Sequence, residues 1–139
     1  PSRLATQITK ALRPGAEAVI EAYVGTPTQT DIAAAFAAAF SEPQIRPILD
    51  LERCFDDAGL FVLDASDQTA AHLDLAIEGF RRLEGEIGKL TEAGDADPLR
   101  TAAIMRELAW ETDAWRVRIK LLHRGQLVRR RWWVKRDEA

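Results

Sequence analysis

The chain has 139 residues, 47% hydrophobic and 29% charged, with a formal net charge of −3; this is the balance of a folded globular protein and excludes a disordered tail. A single cysteine, Cys54, excludes an intramolecular disulfide, and no apolar run reaches the ~20 residues of a membrane-spanning helix, so no membrane partner is expected. The charge is unevenly placed: residues 1–112 hold 19 Asp/Glu against 10 Lys/Arg, whereas residues 113–139 hold 3 against 9, an asymmetry that bears on partners rather than on fold.

In chain order, Ser2 is placed to cap a helix whose Leu4, Ile8 and Leu12 recur at four-residue spacing, and Pro14-Gly15 ends it. In the next stretch Ala16, Val19, Ile20, Tyr23 and Val24 follow a 3.6-residue period while Glu17 and Glu21 share the opposite face, which predicts a second helix stopped by Gly25 and Pro27. Thr28 or Thr30 opens a third, alanine-rich helix with Ile32, Phe36 and Phe40 on one stripe. Pro43 and Pro47 lead into a fourth over "PILDLERCFDDAG", which stops at Gly59. The apolar run 60–63, "LFVL", predicts a short strand.

Ser66 is placed to cap the longest helix, in which Leu73, Phe80 and Ile87, and also Ala76, Leu83 and Leu90, recur every seven residues. This is expected to be the central core helix; a homodimer seam along 73–90 is the alternative. "EAGDADP" reads as a turn or short linker, and Asp97 with Pro98 opens a last helix running to about Ala109.

From Trp115 to Arg136 the chain alternates apolar and basic residues around Arg124-Gly125, which predicts a hairpin over 113–136. In that register Leu121 faces Val128, Val117 faces Trp132 and Trp115 faces Val134 on a core side. On the other side Lys120 faces Arg129, Arg118 faces Arg131, and Arg116 lies opposite Trp133 with Lys135 nearby. Like charges directly opposed destabilise a sheet, so negative charge must compensate them. The candidates are the protein's own Asp56, Asp57, Glu84, Glu86 or Glu92, an acidic protein partner anchored on Trp133, or nucleic acid stacking on the same tryptophan.

The expected fold is therefore α+β and predominantly helical: five to six helices, a C-terminal antiparallel β-hairpin and a third strand near 60–63. One domain spans 1–139, with a helical body over 1–112 and the basic hairpin over 113–136. His72 and His123 lie at no metal-ligand spacing, Cys54 reads as an inert buried thiol, and Asp64 and Asp67 lack an EF-hand's ligand series. There is no phosphate-binding loop, dinucleotide fingerprint or nucleophile elbow, so no metal, cofactor or catalytic residue is assigned.

"TPTQTDIAAAF" followed by "PILDLERCFDDAGLFVLDASD" resembles the helix-turn-helix and start of the wing in winged-helix regulators, over 26–67. That resemblance implies a nucleic-acid-binding regulator, using this segment or the basic hairpin, and is kept as the alternative. The first expectation is a small, cytoplasmic, non-enzymatic interaction module of the adaptor, inhibitor or immunity type. It would bind an acidic protein partner through Arg116, Arg118, Lys120, Arg129, Arg131, Trp133 and Lys135.

Overall fold

The computed structural model describes residues 2–25, 36, 45–92 and 98–138. In chain order the elements are α1 (Ser2–Ala11), β1 (Glu17–Gly25), β2 (Arg46–Pro47), α2 (Ile48–Asp56), β3 (Leu60–Asp67), α3 (Thr69–Glu92), α4 (Pro98–His123) and β4 (Leu127–Arg136). The third helix expected after Thr28, apart from Phe36, and the linker before Pro98 lie outside the described residues.

The strands form one sheet in the order β2-β1-β4-β3. β1 and β2 run parallel, and β4 is antiparallel to both of its neighbours, β1 and β3. The three other strands thus share one direction, with β4 inserted against it. Their carboxyl ends, at Gly25, Pro47 and Asp67, lie together with Leu127 at the start of β4. This mixed sheet replaces the expected five to six helices with a C-terminal hairpin.

Two segments were misread by periodicity. Residues 17–25 form a central strand: Ala18, Ile20, Ala22 and Val24 point into the core while Glu17, Val19, Glu21 and Tyr23 point away. Both a 2-residue and a 3.6-residue period fit this short stretch, and pairing along its whole length with β4 decides between them. Residues 113–123 continue α4 instead of forming a strand. Buried Ala114, Leu121 and Leu122 with half-buried Val117 follow helical spacing, a pattern hidden beneath the apolar-basic alternation.

The glycine after Arg124 ends that helix rather than turning a hairpin. Gly125 adopts φ +64; its N–H donates to the Leu122 carbonyl at 3.0 Å and the Gln126 N–H to the Leu121 carbonyl at 2.9 Å. These are the paired bonds of a helix C-cap with a left-handed glycine. A left-handed glycine serves a hairpin turn equally well, so the sequence alone does not separate the two. The strand expected at 60–63 lies within β3, which is longer and carries a bulge between Val62 and Asp64. Because β3 is a full partner of β4, it is not the wing of a helix-turn-helix, and the resemblance to winged-helix regulators fails there.

One face of the sheet is closed by α1 and α2. Ala5, Phe55, Val24, Leu60, Trp132 and Val134 form its core, with Ile8, Leu12, Ile48 and Leu51 packed against them. The Phe55 and Trp132 rings meet edge-on with centroids 5.5 Å apart, and the Trp132 indole N–H donates to Glu52 at 2.9 Å. Half-buried Cys54 belongs to the same layer. The Arg136 guanidinium donates to the Thr9 carbonyl at 2.9 Å and to the Leu12 carbonyl, so a cation caps the C-terminal end of α1. The opposite face is covered by α3 and α4 only near the carboxyl ends of the parallel strands, around Leu121, Leu122, Leu127 and Phe36. No helix among the described residues is long and apolar enough to cross a membrane.

Candidate active site at the carboxyl ends of the strands

In open α/β sheets ligands gather outside the carboxyl ends of the strands, and the polar constellation of this protein lies there. Tyr23, near the end of β1, points to the outer face. His72 lies in the first turn of α3, directly after β3. The Asp67 carboxylate fixes the start of that helix by accepting from the Thr69 N–H at 2.8 Å, the role expected of Ser66. The hydroxyl of Thr69 in turn accepts from the Arg129 N–H at 3.0 Å, tying α3 to β4.

The Tyr23 hydroxyl and His72 Nε2 are hydrogen-bonded at 2.5 Å, with the two rings edge-on at 5.4 Å between centroids. Phe36 meets Tyr23 edge-on at 5.6 Å. Two guanidinium groups approach the tyrosine ring, Arg118 at 5.0 Å and Arg129 at 4.9 Å from its centroid. Arg118 also lies 4.4 Å from the Trp115 ring, so it joins α4 to β1 through aromatic faces. Burial, and then the charges of Arg129 and Arg118, hold the His72 imidazole below its ordinary 6.5, against a smaller opposing pull from Glu21. A neutral imidazole at physiological pH can accept a proton.

His72 also lines a cavity of about 400 Å³ with Leu75, Ala76, Gly79, Leu83 and Trp115. Its walls are apolar apart from His72, and its volume is that of a small-molecule site. An apolar cavity with a neutral, tyrosine-paired histidine at its rim can bind an apolar body and take a proton from a group carried on it.

The residues expected to bind a partner are spread over two elements. Arg116, Arg118 and Lys120 are on α4, whereas Arg129, Arg131, Trp133 and Lys135 are on the outer face of β4. The opposed pairs Lys120 with Arg129 and Arg118 with Arg131 therefore do not exist. Compensating charge comes from β1 and the chain end: Glu21 accepts from Arg129 at 2.9 Å and Arg131 at 2.5 Å, Glu17 from the Trp133 indole at 2.9 Å, and Glu138 from Lys135 at 2.7 Å. The hydrogen bonds from Arg131 and Arg129 pull the Glu21 carboxyl below its usual range. Of the acidic groups foreseen for this role, Glu84 meets Arg116 at 3.7 Å. Sequence reasoning missed Tyr23 and His72 as a pair, because a strand and a helix 49 residues apart bring them together.

No protein-family profile matches the chain, and no curated protein does either. Solved structures do match. Over 99% of its length the chain resembles the Haemonchus contortus phosphoethanolamine N-methyltransferase 2 solved with phosphomonomethylethanolamine and S-adenosylhomocysteine, at a TM-score of 0.71 and 14% identity, covering 30% of that chain. Over 97% of its length it resembles the mycolic acid cyclopropane synthase CmaA1 solved with S-adenosylhomocysteine and CTAB, at 0.74 and 9%, covering 49% of that chain. The [4+2]-cyclase SpnF matches at 0.68 and 15%, over all of this chain and 45% of its own. The fold resembles part of a Rossmann-like methyltransferase. The chain spans half or less of each of these three structures.

This likeness overturns the expectation of a non-enzymatic interaction module built on a basic hairpin, and with it the regulator alternative, because the fold is one that its neighbours use for enzymes. The neighbours solved with S-adenosylhomocysteine raise the question of whether this chain could hold that nucleoside by itself. None of its eight glycines stands two residues from another, so it has no glycine-rich strand-to-helix turn of the kind that lets a backbone close on a nucleotide. Its own residues do not make that cradle.

Proposed function

We propose that this chain forms the acceptor-binding part of an enzyme of the S-adenosylmethionine-dependent methyltransferase type, acting on a small acceptor with an apolar body. The observation that supports this reading is the Tyr23–His72 pair at the rim of an apolar cavity, placed at the carboxyl ends of the strands in a methyltransferase-like fold. The acceptor's apolar body would lie along α3 against Leu75, Gly79 and Leu83. His72 would take the proton that a nucleophilic oxygen or nitrogen releases as it reacts, and the Tyr23 hydroxyl would hold the imidazole in orientation. Burial, and then the charges of Arg129 and Arg118, keep the imidazole neutral. A cytoplasmic location goes with this reading, since a reducing compartment suits the lone Cys54.

The test is release of S-adenosylhomocysteine from S-adenosylmethionine in the presence of small apolar acceptors, by the enzyme of which this chain would form the acceptor-binding part. His72→Gln is expected to lower kcat by about 100-fold, the low end of what a positioned proton acceptor contributes, with little change in the KM for S-adenosylmethionine. Tyr23→Phe should lower kcat less. Unchanged kcat in both variants would overturn the assignment. Acceptor binding without any methyl transfer would instead favour a reaction of another class on the same fold, of which SpnF is an example among the neighbours.

A further inference from the structure

The antiparallel pair α3 and α4 has two sides. The cavity with His72 opens on one. On the other, across Phe80, lies a groove of about 450 Å³. Its floor is apolar and half-buried, made by Ile77, Phe80 and Ile119. Its rim is cationic: Arg81 from α3 and Arg116, Lys120 and Arg124 from α4 and the residue after it, all exposed. Glu84 is the single carboxylate lining the groove, and it already faces Arg116, which Asp113 also meets at 3.3 Å. Arg81, Lys120 and Arg124 have no carboxylate partner among the described residues.

A cation at the C-terminal end of α4 is favourable for the helix dipole alone, and that would explain Lys120 and Arg124. It explains neither Arg81, which projects from the middle of α3, nor the apolar floor left open among the cations. A chain with net charge −3 concentrates positive charge here, around a surface suited to hydrocarbon. The volume is that of a small-molecule site.

We infer that this groove between α3 and α4 binds a single-chain anionic amphiphile, with the hydrocarbon on Ile77, Phe80 and Ile119 and the carboxylate or phosphate head against Arg81 and Lys120. The site is separate from the proposed acceptor cavity, although Phe80 lines both.

The experiment is calorimetric titration of the full chain with decanoate below its micelle-forming concentration, at low and near-physiological salt, with decyltrimethylammonium as the counter-probe. The expected result is one decanoate site, weakened by salt and favoured over the cation. The double reversal Arg81→Glu/Lys120→Glu should weaken it at least ~10-fold, because both charges at the head-group end are inverted. Both residues are exposed, and circular dichroism should show the fold unchanged. Gly79→Leu supplies the control on the other side. A Cβ at Gly79 meets nothing within 4 Å, so a side chain can start there without a clash; it would occupy the His72 cavity, which Gly79 lines, and should leave decanoate binding intact. No binding of decanoate, equal binding of the cation, or binding insensitive to the double reversal would each overturn the inference. Loss in Gly79→Leu alone would place the ligand in the acceptor cavity, overturning this groove while leaving the proposed function standing.

Discussion

The two faces of the sheet are made by the same strands and have opposite chemistry. On the α1/α2 face β1, β3 and β4 contribute small or large apolar groups, and Trp132, Val134, Val24 and Leu60 are all but inaccessible to solvent. On the other face β1 and β4 present Glu17, Glu21, Tyr23, Arg129, Arg131 and Trp133, and the helices above leave the His72 cavity open. The comparison teaches where stability and chemistry reside. A closed apolar face fixes the fold, and the polar face is then free to hold charges, a neutral histidine and open space that would each weaken a core.

Adjacent tryptophans on β4 break or sharpen that comparison most directly. Trp132→Ala should cost about 3–5 kcal/mol, since it empties the space against Phe55 and leaves the Glu52 carboxylate without the indole donor. Trp133→Ala, one residue on and 47% exposed, should stay within roughly 0.5 kcal/mol. Denaturant unfolding of the two variants measures both, and equal losses would abolish the distinction between the faces.

The join between α4 and β4 gives a smaller effect. Gly125→Ala should lose about 1–2 kcal/mol in the same measurement, the cost of a left-handed conformation for a residue with a Cβ. An unchanged midpoint would mean that the helix end is not held in this geometry.

The smallest effect belongs to His72 and is read against pH. Its folded value lies below the ordinary 6.5, so above that pH both states hold the imidazole neutral and its contribution is fully present. As pH falls through 6.5 the unfolded chain takes up a proton before the folded chain does, so stability declines and then levels off once the folded histidine also protonates. Thermal unfolding of the native chain and of His72→Gln over that range should show a shallower acid decline in the variant. Parallel profiles would show that His72 is not held neutral by its surroundings.

Much of the fold was legible locally. The helix of α1, the strand at 60–63, the long helix and the Pro98 start of α4 follow from period and capping, which act within a few residues. So does the split of β4, where alternation alone places Trp132 inward and Trp133 outward. Leu4 of the expected α1 stripe is exposed, however, and α3 buries only Ala76 among its described residues, so it is not the central core helix. Residues 17–25 and 113–123 were not legible, because in segments of about ten residues an alternating pattern and a helical stripe share most positions.

The sequence by itself determined the chemistry available: a single-cysteine globular chain, acidic on average with a basic end, and without a glycine-rich nucleotide turn. Only the tertiary structure decided how that chemistry is arranged. Whether Gly125 ends a helix or turns a hairpin depends on what α4 packs against, and the insertion of β4 between β1 and β3 depends on pairings as distant in sequence as Glu17 with Lys135 and Asp67 with Arg130. The meeting of Tyr23 and His72 is of the same kind. Local propensity acts over a few residues of chain, whereas burial and strand pairing act through space, and the candidate site is assembled wholly by the second.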